Sequence, residues 1–212
     1  MFKKIVSLFL FILALQLNSF ATPKPNKDFT IVIEATHDGF YKGMGITENP
    51  KASQLVNDYI QTLKQLVAAK NFNIIIANES NQLFDLNKRK EFLKLNKANL
   101  FISLHFNHSE DAAKRGFECY VPTDNNTFEN RVLGKFVGAE LYNVQGMKFN
   151  GVNIQKKEVL NGLPIASSII ELGYLSNEID SKIIESTEGK NEICEKLLNA
   201  ILSYKAQIEM GK

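Results

Sequence analysis

Short β-branched and apolar runs alternate with helical-period segments along most of this chain, and that alternation restricts it to few folds. Phe29–Ala35, Asn73–Ala77, Leu100–His105 and Ser167–Leu172 read as strands, and several are apolar at nearly every position. A run of that kind belongs to a strand buried on both faces. Between the first two runs, Ala52, Leu55, Val56, Tyr59, Ile60, Leu63, Leu66 and Val67 recur at helical spacing. Asn49 before Pro50 supplies the helix start, an N-cap followed by proline at the first helical position. Leu86–Asn96 and Thr127–Tyr142 repeat the helical pattern, and Asn177–Glu185 with Glu188–Ile208 close the chain. Gly116–Val121 reads as a further strand, and 145–164 as irregular with short extended pieces. The expectation is a single α/β domain, with a mostly parallel sheet of about five or six strands flanked by helices.

The first residues stand apart from that domain. Lys3 and Lys4 precede a 13-residue apolar run, Ile5–Leu17, and Ser19-Phe20-Ala21 supplies small residues at a cleavage site. This is the pattern of a secretory signal peptide over 1–21. An uncleaved anchor is the alternative, but 13 residues are short for a bilayer span. A polar, proline-containing leader over 22–28 follows, and the domain occupies 29–212. The expected location is outside the inner membrane, periplasmic or secreted, with no stable membrane insertion once the signal is removed.

The formal charge of +2 includes two lysines of the signal, so the mature chain is near neutral. Nucleic acid is therefore not an expected partner, because no basic surface is available to neutralise phosphates. Cys119 and Cys194 are the only cysteines. They could pair, although two buried small apolar residues is the simpler reading.

There are three histidines. His37 follows the first strand, His105 ends the third, and His108 lies in the loop beyond it. Ligands of open α/β sheets bind outside the carboxyl ends of the strands. His37 and His105 thus fall where a site should form, and imidazole is a common metal ligand. A catalytic zinc site usually takes three protein ligands, two histidines and a carboxylate being one such set. Asp38 and Glu48 are the nearby carboxylates. Glu48 ends a glycine-containing loop that could return it to His37, or it could simply lead the following helix at the positive end of the dipole. His108 reads as a loop or substrate-side residue. Glu171 lies in an apolar strand, so its carboxylate needs a cation, a metal or a proton-transfer role; a structural salt bridge is the alternative.

These segments resemble a known family, the zinc-dependent N-acetylmuramoyl-L-alanine amidases of bacterial cell walls. Ile169-Ile-Glu-Leu-Gly-Tyr-Leu-Ser-Asn177 is similar to the segment around that family's catalytic glutamate. Arg89 through Ala98-Asn-Leu-Phe-Ile-Ser-Leu-His105 resembles its arginine-led helix and histidine-ended strand, and Gly116-Phe-Glu-Cys-Tyr-Val121 the strand that follows. Ile31-Val-Ile-Glu-Ala-Thr-His37-Asp-Gly39 is similar to its first histidine motif. The family usually has Asp-Pro-Gly before that histidine and two glycines after it. Here Glu34-Ala35-Thr36 precede it and Asp38-Gly39 follow, and Lys51 occupies the position a gapless helix alignment gives the ligand glutamate.

The resemblance implies zinc held by His37, Glu48 and His105, with Glu171 as catalytic glutamate. It further implies peptidoglycan as substrate, cut at the amide between N-acetylmuramic acid and L-alanine. A non-catalytic relative that binds peptidoglycan or protein, and an amidohydrolase for another amide, are the alternatives.

Overall fold

The computed structural model describes residues 29–35, 50–68, 70, 72–77, 85–123 and 127–211. In chain order the elements are β1 (Phe29–Ala35), α1 (Pro50–Ala68), β2 (Phe72–Ile76), α2 (Leu86–Leu95), β3 (Leu100–Asn107) and β4 (Phe117–Val121). Then come α3 (Thr127–Leu141), β5 (Phe149–Ile154), β6 (Ala166–Tyr174), α4 (Glu178–Glu185) and α5 (Thr187–Met210). The strands form one six-stranded sheet in the order β2-β1-β3-β6-β4-β5. β2, β1, β3 and β6 are mutually parallel, while β4 runs antiparallel to β6 and parallel to β5. The expected α/β domain with a mostly parallel sheet is the observed architecture.

The helices divide between the faces. Ile31, Ile33, Leu100, Ile102, Leu104, Ile170 and Leu172 project to one side and join the buried faces of α1, α3 and α5 in the larger core. Tyr59 sits wholly inside it, its ring edge-on to Phe106 at 5.2 Å and its hydroxyl donating to the Ile184 carbonyl at 3.0 Å. Val32, Phe101 and Ile169 project to the other side, under Leu93 of α2 and Leu160 and Leu163 of the segment before β6. Helical periodicity placed the α1 core residues correctly because burial on one face is what generates that period.

Two expectations are corrected. β3 does not end at His105 but continues to Asn107, because β6 supplies it with a partner as far as Tyr174. β6 likewise runs beyond Leu172 to Tyr174. Within 145–164, one of the expected short extended pieces is β5, an edge strand whose half-buried side chains leave only a weak apolar pattern. Cys119 and Cys194 are both free and buried, with burial pushing each thiol up to about 12, as suits small core residues rather than a disulfide. The signal peptide, the leader and the Asn49 cap lie outside the described residues. No helix among the described residues is long and apolar enough to cross a membrane.

Candidate active site

From β1 the chain crosses to β2 on one side and then to β3 on the other. Such a reversal opens a crevice at the carboxyl ends of the strands. β1 finishes there with Ala35 beside Leu104, one residue before His105. On the next strand, Glu171 is the register partner of His105. Residues paired across parallel strands project from the same face, so imidazole and carboxyl stand side by side on the α2 side. Both are buried, with 2% and 7% of their surface exposed, which separates them from bulk water and magnifies their electrostatics.

Each group is tuned by a neighbour. Ser103, two residues before His105 and on the same face, places its Oγ 2.7 Å from His105 Nε2. Glu171 Oε2 has no hydrogen-bond partner among the described residues. Glu118 of β4 lies directly across from Glu171 in the antiparallel pairing. Burial first, then the Glu118 charge, push the Glu171 carboxyl up to about 7, with Lys157 acting in the opposite direction. A carboxyl poised there both accepts and returns a proton near neutral pH.

Beyond Glu171 the β3–β6 ladder shifts register: His105 pairs with Glu171, and Asn107 with Tyr174. Gly173 sits in the shift at φ +120°, a conformation that favours glycine. The extra residue brings Tyr174 to the Glu171 side, where its hydroxyl donates to Glu118 Oε1 at 3.3 Å. Asn153 of β5 donates to the other Glu118 oxygen at 3.2 Å.

The residues after β6 then fasten the β3–β4 loop. Ser176 Oγ accepts the Ser109 N–H at 2.9 Å, and Asn177 Nδ2 donates to the Ala112 carbonyl at 2.7 Å. Asn177 also caps α4, accepting from the backbone N–H groups of Ile179 and Asp180. Asp180, fully buried, accepts N–H bonds from Gly116 at 2.5 Å and Tyr174 at 3.0 Å. The Leu-Ser-Asn end of the glutamate segment is thus a clamp on the neighbouring loop.

On the same face, Glu34 and Arg89 form a buried bidentate pair, both bonds 2.7 Å. The Arg89 guanidinium also lies 5.8 Å from the Phe101 ring centroid. The glutamate that stands before His37 therefore anchors β1 to α2.

Of the predicted site residues, His105 and Glu171 are brought together. His37 and Glu48 lie outside the described residues, and no group of three metal-binding side chains occurs among the described ones. Lys51 belongs to α1. His108 is exposed, its backbone N–H donating to Asn107 Oδ1. Ser103, Glu118 and Asp180 were missed. Alternation with His105 could have flagged Ser103, and Glu118 as a charge within a strand could also have been noticed. Asp180 carried no signal, since an acidic residue in a helix's first turn is ordinary.

The topology and the imidazole–carboxyl pair define the class, an α/β domain whose polar centre lies at the carboxyl ends of its central parallel strands. The N-acetylmuramoyl-L-alanine amidase family model matches residues 31–203, and the chain belongs to that family. An uncharacterized cell wall amidase of Bacillus anthracis is 30% identical over 207 residues, covering 88% of this chain and 38% of that protein. A probable cell wall amidase, LytH, of Staphylococcus saprophyticus is 23% identical over 183 residues, covering 85% of this chain and 60% of the other. This chain therefore spans less than two thirds of the length of either relative. Among solved structures, an N-acetylmuramoyl-L-alanine amidase from Clostridium difficile 630 superposes with a TM-score of 0.72 at 17% identity, covering 85% of this chain and 98% of that one. AmiC2 of Nostoc punctiforme does so at 0.70 and 20% identity, covering 84% and 97%. At those identities the likeness is one of fold.

Proposed function

We propose that this chain is an exported, zinc-dependent peptidoglycan amidase that cuts the amide between N-acetylmuramic acid and L-alanine. The observation that carries the reading is the pairing of His105 with Glu171 at the strand ends, with Glu171 buried and poised near neutrality. Family membership supports the bond class. The printed names of the Bacillus and Staphylococcus relatives, cell wall amidases, support the polymer and an action outside the cytoplasm, as does the apolar run over 5–17.

The chemistry of the donors fits zinc. His105 is a buried imidazole whose Nε2 lies 2.7 Å from the Ser103 hydroxyl. An outer hydrogen bond of this kind fixes the ring and tautomer of a metal-binding histidine. His37 and Glu48 complete the proposed set. Zinc bound there supplies a Lewis acid that polarises the amide carbonyl and acidifies the attacking water.

The chain's own residues carry the proton. The Glu171 carboxylate takes a proton from water as the water oxygen bonds to the carbonyl carbon. The carbon–nitrogen bond then breaks, and the Glu171 carboxyl returns that proton to the departing amine nitrogen. Burial, and then Glu118, oppose the charged form of Glu171 and so hold it close to the midpoint this cycle needs.

The test is zinc content of the mature chain and of Glu48→Ala, with digestion of purified muropeptides. About one zinc per chain, lost or much weakened in the variant, together with release of free peptide from the glycan, is expected. A wild-type chain that takes up no zinc from a supplied excess, or one that binds muropeptide without cutting it, would leave a binding protein in place of an enzyme.

A further inference from the structure

The β3–β4 loop and the start of β5 border an open cavity of about 280 Å³ beside Tyr174. β4 and β5 run against the parallel strands, so their first residues lie at the edge where β3 and β6 end. The cavity therefore opens at the same end of the sheet as Glu171. Lys114, Arg115, Lys148, Asn150 and Tyr174 line it, with Asp111 the single carboxylate among its lining residues.

Its wall is built from the inside. The buried Asp180 carboxylate binds the Gly116 and Tyr174 N–H groups and stands 3.5 Å from Arg115 Nε. Arg115 also donates to the Gly146 carbonyl, while its own carbonyl accepts from Asn150 Nδ2 at 2.9 Å. Asp111 is occupied within its own turn, accepting the Ala113 N–H at 3.0 Å. Lys114 and Lys148 make no ion pair among the described residues. Two exposed lysines thus line a fixed frame without an ion-pair partner among the described residues. Tyr174 joins this cavity to the catalytic carboxyl, since it is one of the lining residues and its hydroxyl reaches Glu118, which faces Glu171.

We propose that this cavity receives a free carboxylate of the peptide on the amine side of the scissile amide, held between Lys114 and Lys148. The inference rests on the reading of Glu171 as the proton carrier and extends it to substrate selection. The side follows from charge: with its lactyl carboxyl tied up in the amide, the amino-sugar side is uncharged, so an anion must come from the peptide. The size agrees, because a cavity of about 280 Å³ has room for one amino-acid residue.

The test uses the zinc-loaded mature chain, its Lys114→Ala/Lys148→Ala double variant, and two muropeptides. One carries free peptide carboxylates and the other carries the same groups as carboxamides. Both lysine side chains are exposed, and alanine keeps the Lys148 carbonyl that accepts the Phe117 N–H, so the double variant should fold. Expected is a rise in KM of about tenfold or more on the acid substrate with kcat little changed, no comparable change on the carboxamide, and a preference that shrinks in high salt. Equal losses on both substrates, or none on either, would overturn the proposal. Should the wild-type chain cut neither substrate, the amidase reading fails, and calorimetric binding of the glycan-free acidic peptide then decides the cavity by itself. Binding about tenfold weaker in the double variant supports the site, while equal binding or none refutes it.

Discussion

The two faces of the sheet are built on opposite principles. Toward α1, α3 and α5, the strands present isoleucine, leucine and phenylalanine almost without interruption, and even Ser168 there is bonded to Cys119 and the Tyr120 carbonyl. Toward α2, a smaller apolar cluster gives way, near the carboxyl ends, to Glu34, Arg89, Ser103, His105 and Glu171, all buried. Burying such groups is unfavourable unless they are paired or bonded. The Glu34–Arg89 fork and the Ser103–His105 bond meet that demand. Glu171, whose charged form is opposed by burial and by Glu118, is the group that bears it as a shifted pKa. One face supplies the stability that allows the other to hold unfavourable chemistry in place.

The largest expected effect breaks the polar face at its centre. Glu171→Gln should lower turnover of muropeptide by roughly 10²–10⁴-fold while zinc stays bound, as general acid–base groups contribute about that much. With Glu171 as the proposed base, wild-type kcat/KM should rise with pH to a plateau as its carboxyl ionises, a group that burial and then Glu118 push up to about 7 in the metal-free chain. Stability should move the other way. The folded pKa of about 7 lies above the ordinary carboxyl value of about 4.5, so the native state binds the proton more tightly. The contribution is full below about 4.5 and is lost as pH rises through about 7, roughly 3 kcal/mol in all for the metal-free chain. Urea unfolding at pH 5 and pH 8 should show that loss in the wild type and not in Glu171→Gln.

Next in size is Arg89→Ala, which leaves Glu34 buried without its partner and should cost about 3–5 kcal/mol in urea unfolding. The double change Glu34→Leu/Arg89→Met should recover most of it, since well-packed apolar residues replace such pairs at little cost. Leu104→Ala cuts the apolar face instead, at a side chain 1% exposed. It should cost about 2–5 kcal/mol and leave turnover per folded molecule nearly unchanged. Equal damage to activity from Leu104→Ala and Glu171→Gln would dissolve the contrast between the faces.

The smallest effect is the most discriminating. Ser103→Ala should weaken zinc about 10–100-fold, read by chelator competition, with under about 1.5 kcal/mol lost in stability. Unchanged zinc affinity would reduce the Ser103 bond to packing.

Much of this was legible in the residues. Continuous apolar runs identify buried parallel strands, and the 3.6-residue period identifies α1 down to the residues it buries. His105 and Glu171 stood out for the same reason, as polar groups in segments whose apolar surroundings leave them no solvent. β5 was legible only as a short extended piece without bounds, because an edge strand buries too little of itself to write a clear pattern. The parts of the site that depend on pairing were also silent. Nothing local says that Glu118 faces Glu171, that a bulge at Gly173 turns Tyr174 toward them, or that Asp180 joins Gly116, Tyr174 and Arg115.

The sequence by itself determined which segments are strands and helices and which polar residues sit among apolar ones, since periodicity and burial are properties of neighbours along the chain. The tertiary structure alone decided strand order, register and the company each buried polar group keeps, because those contacts join residues tens of positions apart.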